Sequence, residues 1–325
     1  MKISMMHGSG GEETSRLISE VFMSYFGNEH NAPMEDAAIL NCPEKIALTT
    51  DSFVVQPLFF AGGDIGRLSI CGTVNDLLTT GAKPLYLTAG FILEEGLDSE
   101  ILRGVCKSMA LTAAEAGVKI VAGDTKVVEG DGELYINTAG VGGFYSNPVR
   151  FSDARSGDAI IVTGTLGDHH ACILSARMGI ENNILSDNAP LGDIVNALQG
   201  AGITLHGMRD ITRGGLATIL TELNTATGLS AVVSEADLPI SDEVAVFAKI
   251  LGLDPLTMGN EGKLIIIVPE SECSRALEVI RKAPYGKNAA CIGFLEDGGV
   301  PVIHTKLGGR RIITPLRGEG LPRIC

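Results

Sequence analysis

The 325 residues contain no tryptophan, no apolar run long enough to span a bilayer, no cysteine pair at CxxC spacing and no phosphate-binding P-loop. Each gap removes a class of protein. Without a run of about 20 apolar residues no membrane helix is expected, and LIIIV (Leu264 to Val268) reads instead as a buried strand. The opening MKISMMHGSGG turns polar and glycine-rich before a signal-peptide core can form, so a cytoplasmic location is expected. Seven scattered cysteines (42, 71, 106, 172, 273, 291 and 325) make neither a zinc site nor an even disulfide framework. The two Gly-Lys pairs, Gly262-Lys263 and Gly286-Lys287, are followed by Leu and Asn, so neither completes the common nucleotide loop. Positive charge is short too: a net charge of −14 argues against a nucleic-acid partner.

What is present is a glycine-rich globular composition, with 45% hydrophobic residues, 20% charged residues and 41 glycines. The length suits two packed units. Residues 1–13 read as a flexible glycine-rich arm, followed by a helix from Thr14 to Tyr25 whose apolar residues recur at helical spacing. Strands are predicted at Ala37 to Leu40, Lys45 to Asp51, Tyr86 to Leu93 and in LYINTAGVGGF, and in VKIVAGDTKVV with a break at Gly123 and Asp124. Helices are predicted in IGRLSICGTVNDLLTTG and from Ser99 to Gly117. A polar turn at Asn147 and Pro148 divides a first unit, 1–150, from an α/β unit, 151–305. The fold class is thus α+β or α/β. Residues 306–325 read as a flexible tail with five basic side chains and one acidic one, ending on Cys325. A terminal thiol is unpaired and oxidisable, which points to use; the other six cysteines read as inert core.

Aspartates recur at the ends of predicted strands: Asp36, Asp51, Asp76 and Asp124. Each alone reads as a turn or cap, but together they suit magnesium with nucleotide phosphates. MRDITRGGLATIL places Arg209, Asp210, Arg213, Gly214 and Gly215 just before an apolar helix, where arginine forks and helix N–H groups favour phosphate. A plain cap by Asp210 or Thr212 is the competing reading.

HGSGGEETSRLI, DAAIL, TTDSFVVQPLFFAGGDIGRLSICGTVNDL, FILEEGL, GDTKVV, RDITRGGLA, GNEGKL and the terminal PRIC, in order along the whole chain, resemble the HypE family of hydrogenase maturation factors. The terminal PRIC is the most specific of these. Glu35 departs from the pattern, since relatives often carry a second aspartate there, and it is left out of the metal set. That family is similar to aminoimidazole ribonucleotide synthetase and selenophosphate synthetase. The resemblance implies a two-domain ATP-binding fold without a P-loop, its N-terminal strands forming a barrel across a homodimer. It also implies a reaction. A HypF-type carbamoyltransferase loads the terminal thiol, ATP drives dehydration of the carbamoyl group to a thiocyanate, and the cyano group passes to iron on a HypC–HypD complex. Carried over residue by residue, Cys325 holds the substrate, Glu261 in GNEGKL is the base and Lys126 counters phosphate charge. Asn75, Arg209, Arg213, Gly214 and Gly215 bind ATP, and Asp36, Asp51, Asp76, Asp124 and Asp210 hold Mg2+. His206 in LHGMRD reads as structural. Arg323 would favour the Cys325 thiolate and the terminal carboxylate would oppose it.

Overall fold

The computed structural model describes residues 2–32, 37–144, 146–316 and 321–325. Asp36 and Glu35 lie outside them. The N-terminal half supplies β1 (Ile46–Phe53), a two-residue hairpin β2 (Phe59–Phe60) and β3 (Gly63–Asp64), β4 (Lys83–Glu94), β5 (Lys119–Val128) and β6 (Leu134–Gly143). β1, β6, β4 and β5 form one sheet in that order, with β4 and β5 parallel and the other neighbours antiparallel. The crossover helix Ser99–Ala116 links the parallel pair. It is capped by Asp98, whose side chain accepts from the Glu100 N–H, and ended by left-handed Gly117.

Alternation along β1 sets its faces. Asp51 and Phe53 turn towards helix Ile65–Thr79, where Phe53 packs against Gly72, while Leu48, Thr50 and Ser52 stand on the open face. Helix Ile65–Thr79 is buried nearly all round because it is wedged between this sheet and the C-terminal half.

The second sheet is built from β7 (Asp158–Val162), β8 (Gly207–Asp210), β9 (Leu229–Ser234), β10 (Leu264–Pro269), β11 (Ala290–Asp297), β12 (Val302–His304) and β13 (Arg310–Ile312). Their order is β13-β12-β9-β11-β7-β10-β8. The LIIIV run is the buried strand β10, second from the β8 edge. Among the described residues no helix is long and apolar enough to cross a membrane.

Four local expectations change. Ala37–Leu40 is not a strand: no neighbour offers a ladder, and Ile39 is exposed. β5 runs unbroken through Gly123 and Asp124, because β4 pairs with it residue by residue across Ala89 and Gly90. The first arm is folded: residues Met5–Gly8 make a 3₁₀ turn, Ile3 and His7 are buried, and the Ile3 N–H donates to Leu97 O. The helix that follows, Glu12–Leu17 and Met23–Phe26, carries a π-helical insert, Ile18–Phe22. The basic stretch from Lys306 is partly sheet. Arg310 pairs with Glu296 and Arg311 with Asp254, so the acidic body neutralises these two residues itself.

Candidate functional site

The chain's last five residues lie against the segment that follows β1. The Val54 N–H donates to a terminal carboxylate oxygen of Cys325 and the Gln56 N–H to Arg323 O, both at 3.1 Å. Ile324 and Cys325 are buried, at 3% and 8% exposure. An exposed thiol was expected here, yet among the described cysteines Cys42 is the exposed one. Nor does Arg323 promote a thiolate. Its guanidinium forks onto Glu133 at 3.1 and 2.7 Å and lies over the Tyr135 ring. Burial, and then the neighbouring Glu261 carboxyl, push the Cys325 thiol far above its ordinary range, so it stays protonated.

The Glu261 carboxyl and that thiol lie close enough to shift each other's protonation. Glu261 sits at 4% exposure in the loop before β10. Burial first, then Asp187, Asp210 and Asp51, hold its carboxyl well above the usual carboxylate range. Its backbone is fixed from behind: the Glu261 N–H donates to Asp187 Oδ1 at 2.9 Å, and Asp187 Oδ2 pairs with the buried Lys263 Nζ at 3.1 Å. Glycine is required at 262, because any Cβ there would run into the Asp187 carbonyl oxygen.

Three of the expected aspartates come together beside this pair. Thr49 Oγ1 donates to Asp76 Oδ2 at 2.8 Å. Asp51 raises the Asp76 carboxyl and both raise Asp210, while burial is the largest cause in all three. Asp210 is driven to about 6. The charge of Arg213 reaches both Asp51 and the Cys325 sulfur and lowers the pKa of each. Helix Gly215–Thr227 begins beside it with Gly214 as its N-cap and no side-chain cap, so neither Asp210 nor Thr212 takes that role. Gly215 has φ +63°, and a Cβ would meet the carbonyl oxygens of Leu256 and Met258. Arg209 points elsewhere, to Glu222 Oε2 at 3.0 Å and over Phe151, though its charge still reaches Asp210 and Asp76.

Other expected site residues fall apart from this group. Asn75 spends its amide on backbone: Nδ2 donates to Ala189 O at 3.0 Å and Oδ1 accepts from the Leu191 N–H at 2.9 Å. It therefore positions the 187–191 segment, while the second N–H of its amide remains able to donate. Asp124 and Lys126 pair with each other at 2.7 to 2.8 Å on the open face of β5. The register runs Ser52, Asn137, Gly90, Asp124, one row away from Asp51 and on the opposite face. β1 and β5 are three strand spacings apart, roughly 14 Å. Within one chain Asp124 does not join Asp51. His206 bonds Asp158 Oδ2 at 2.8 Å, as a structural histidine would.

The acid group suits a hard divalent cation. Three carboxylates raised by burial, Asp76 and Asp210 also by their acidic neighbours, carry negative charge that such an ion would relieve. Among the described residues no three His, Cys, Asp or Glu side chains close a metal site by themselves. Magnesium does not need one, being held by one or two carboxylates together with substrate phosphates.

Comparison with known proteins decides the family. Residues 34–144 match the model for the N-terminal domain of AIR synthase related proteins, and residues 155–306 match that for the C-terminal domain. Carbamoyl dehydratase HypE of Rhodobacter capsulatus is 44% identical, over 100% of this chain and 98% of its own. The chain belongs to the HypE family. A solved structure of the hydrogenase maturation protein HypE in complex with ATP superposes with a TM-score of 0.96 at 44% identity, covering 99% of each chain. A HypE–HypF complex matches with a TM-score of 0.81 at 44% identity, over 92% of this chain and 99% of the other. The two-domain AIR synthase-type fold expected from the sequence is therefore the fold of this HypE-family chain.

Sequence reasoning missed Asp187, Lys263, His169 and Arg177. Lys263 was weighed only as half of a failed P-loop, and Asp187 sits in LSDNAP, a plain turn signal. His169 and Arg177, which hold the tail's backbone, lie on helix Asp168–Met178 with no motif to mark them.

Proposed function

We propose that this chain is an ATP-dependent carbamoyl dehydratase of hydrogenase maturation, converting an S-carbamoyl group on its own Cys325 to a thiocyanate. One observation carries the reading: the terminal sulfur is buried beside the Glu261 carboxyl, with the charges of Arg213 and Asp51 both reaching it. ATP is the second substrate. The amide oxygen takes the γ-phosphoryl group and ADP leaves; the C–O bond to phosphate then breaks as the C≡N bond forms. Both nitrogen protons must go to a base, one as the oxygen is phosphorylated and one at elimination. Glu261 is that base, since burial and neighbouring acids make its carboxylate a stronger proton acceptor than an ordinary one.

Arg213 and the N-terminus of helix Gly215–Thr227 receive the phosphoryl oxygens. Asp51, Asp76 and Asp210 would hold Mg2+, which when bound neutralises charge on the transferred group. Burial of the tail keeps water from the carbamoyl carbon, where hydrolysis would waste the group. Lys126 and Asp124 enter through a homodimer. The open face of the first sheet exposes Leu48 and Ile92, an apolar surface that a second copy would cover, and Lys126 with Asp124 stands on it. A HypF-type transferase supplies the carbamoyl group, a HypC–HypD complex takes the cyano group, and the protein works in the cytoplasm.

The test is mass spectrometry of the C-terminal peptide after incubation with the carbamoyl-transfer partner and carbamoyl phosphate, before and after Mg-ATP. A carbamoyl adduct on Cys325 that loses one water only with ATP is expected. No adduct in the wild type, or one that ATP never changes, would overturn the reading.

A further inference from the structure

We propose that Arg177 and His169 form a carbonyl clamp that holds the terminal segment in its docked state and so sets how often Cys325 is exposed. The two stand two turns apart on one helix, Asp168–Met178, and together they hold three consecutive carbonyls of the tail. Arg177 donates through its two terminal nitrogens to Pro322 O and Arg323 O, and through Nε to Gln56 O at 2.7 Å. One planar fork thereby ties the tail to the very segment it pairs with. His169 Nε2 lies 2.7 Å from Ile324 O, and its Nδ1 lies 2.8 Å from Ser186 Oγ. A carbonyl only accepts, so Nε2 carries the proton and Nδ1 accepts from the serine hydroxyl.

The clamp reads backbone alone. Side chains are read elsewhere: Arg323 by Glu133, and Ile324 beside Gly259, where an added Cβ would sit 3.4 Å from Ile324 Cδ1. A second observation says that the grip works against strain. Arg323 has φ +52°, left-handed for a residue with a long side chain. Such a conformation persists only where the surroundings over-determine it. The Arg177 fork takes the carbonyls on both sides of the strained residue's nitrogen and α-carbon, which is where over-determination is needed. Loosening it lets the tail relax outward, carrying the sulfur away from Glu261. Arg177 and His169 are thus positioning residues, since neither touches the sulfur.

The clamp follows from the docked tail itself; only its kinetic consequence rests on the dehydratase reading. The experiment is time-resolved alkylation of the full-length protein by iodoacetamide, without ATP or partner, each cysteine peptide being quantified by mass spectrometry. Wild type, Arg177→Met, Arg177→Lys and His169→Phe are compared. Labelling of Cys325 is expected to speed up about tenfold in Arg177→Met, less in Arg177→Lys, which keeps one donating nitrogen in place of three, and clearly in His169→Phe. Cys71 and Cys106, buried in the core, stay unlabelled throughout. Wild-type rates at Cys325 in all three variants would overturn the clamp. So would labelling of Cys71 and Cys106 in step with Cys325, since Arg177 and His169 would then support the fold and not the tail. In turnover, Arg177→Met should lower kcat for dehydration while speeding carbamoylation of Cys325. Expected labelling with no dehydration even in wild type would leave the clamp standing and reject the dehydratase.

Discussion

Replacing Asp210 by asparagine should stabilise the folded chain while damaging its chemistry, and the size of the gain follows from its surroundings. Burial, Asp76 and Asp51 lift the Asp210 carboxyl from 3.8 to about 6, so the folded state holds a proton that the unfolded chain has released. A raised folded pKa gives stability that is complete below 3.8 and lost as pH climbs through 6. At about 1.4 kcal/mol per pH unit, the shift of roughly two units costs the wild type about 3 kcal/mol at pH 8. Asparagine has no proton to lose. The variant's advantage should therefore grow from below about 1 kcal/mol at pH 4 to about 3 kcal/mol at pH 8, most of it appearing by pH 6.5. Urea unfolding of both proteins across that range, with chelator present, measures it. Adding Mg-ATP should reverse the order, because a ligand of the folded state raises wild-type stability and the variant has lost a carboxylate to hold the ion. An advantage that does not vary with pH, or a variant less stable than wild type at pH 8 without metal, would refute the argument.

Glu261→Gln should still accept a carbamoyl group on Cys325 yet never lose water, by C-terminal-peptide mass spectrometry. Lys263→Met should leave Asp187, at 3% side-chain exposure, as an unpaired buried charge and cost about 3–5 kcal/mol in a denaturant melt. Asn75→Ala should cost about 2–3 kcal/mol, since two backbone groups of the 187–191 segment lose their partner; its ATP affinity, read by calorimetry, should change far less than that of Arg213→Ala.

What the sequence made legible were features with local causes. Five apolar residues in a row had no exposed face to offer, and LIIIV is indeed the buried β10. Two glycines behind RDIT could only open a helix or a turn, and Gly214 and Gly215 do begin one with an uncapped end. What the sequence left open were questions of partner and face. Ala37–Leu40 has strand composition but no neighbour. Asp124 looks like Asp51, and only the register across β1, β6, β4 and β5 reveals that they stand at opposite edges and on opposite faces. Asn75 precedes Asp76 as a ligand might, yet its amide also bonds backbone 114 and 116 residues away. The helix that carries His169 and Arg177 announces nothing, because hydrogen bonds to backbone carbonyls leave no mark on the residues that accept them.

The acidity around the sulfur bears on the order of events. A docked free thiol next to Glu261 and Asp51 is held protonated, so it is a poor nucleophile where it lies. Carbamoylation must then occur with the tail undocked, where solvent restores an ordinary thiol pKa. Once loaded, the sulfur carries a neutral group with no charge to be penalised by the same acids, and the nitrogen protons that remain are what a basic Glu261 needs. The pocket that disables the free thiol is thus the one that suits its carbamoylated form. On the dehydratase reading, loading and dehydration are kept apart by electrostatics as well as by distance. The separation would fail if the docked wild-type thiol, locked by a disulfide engineered between tail and body, were still carbamoylated at the rate of the free tail.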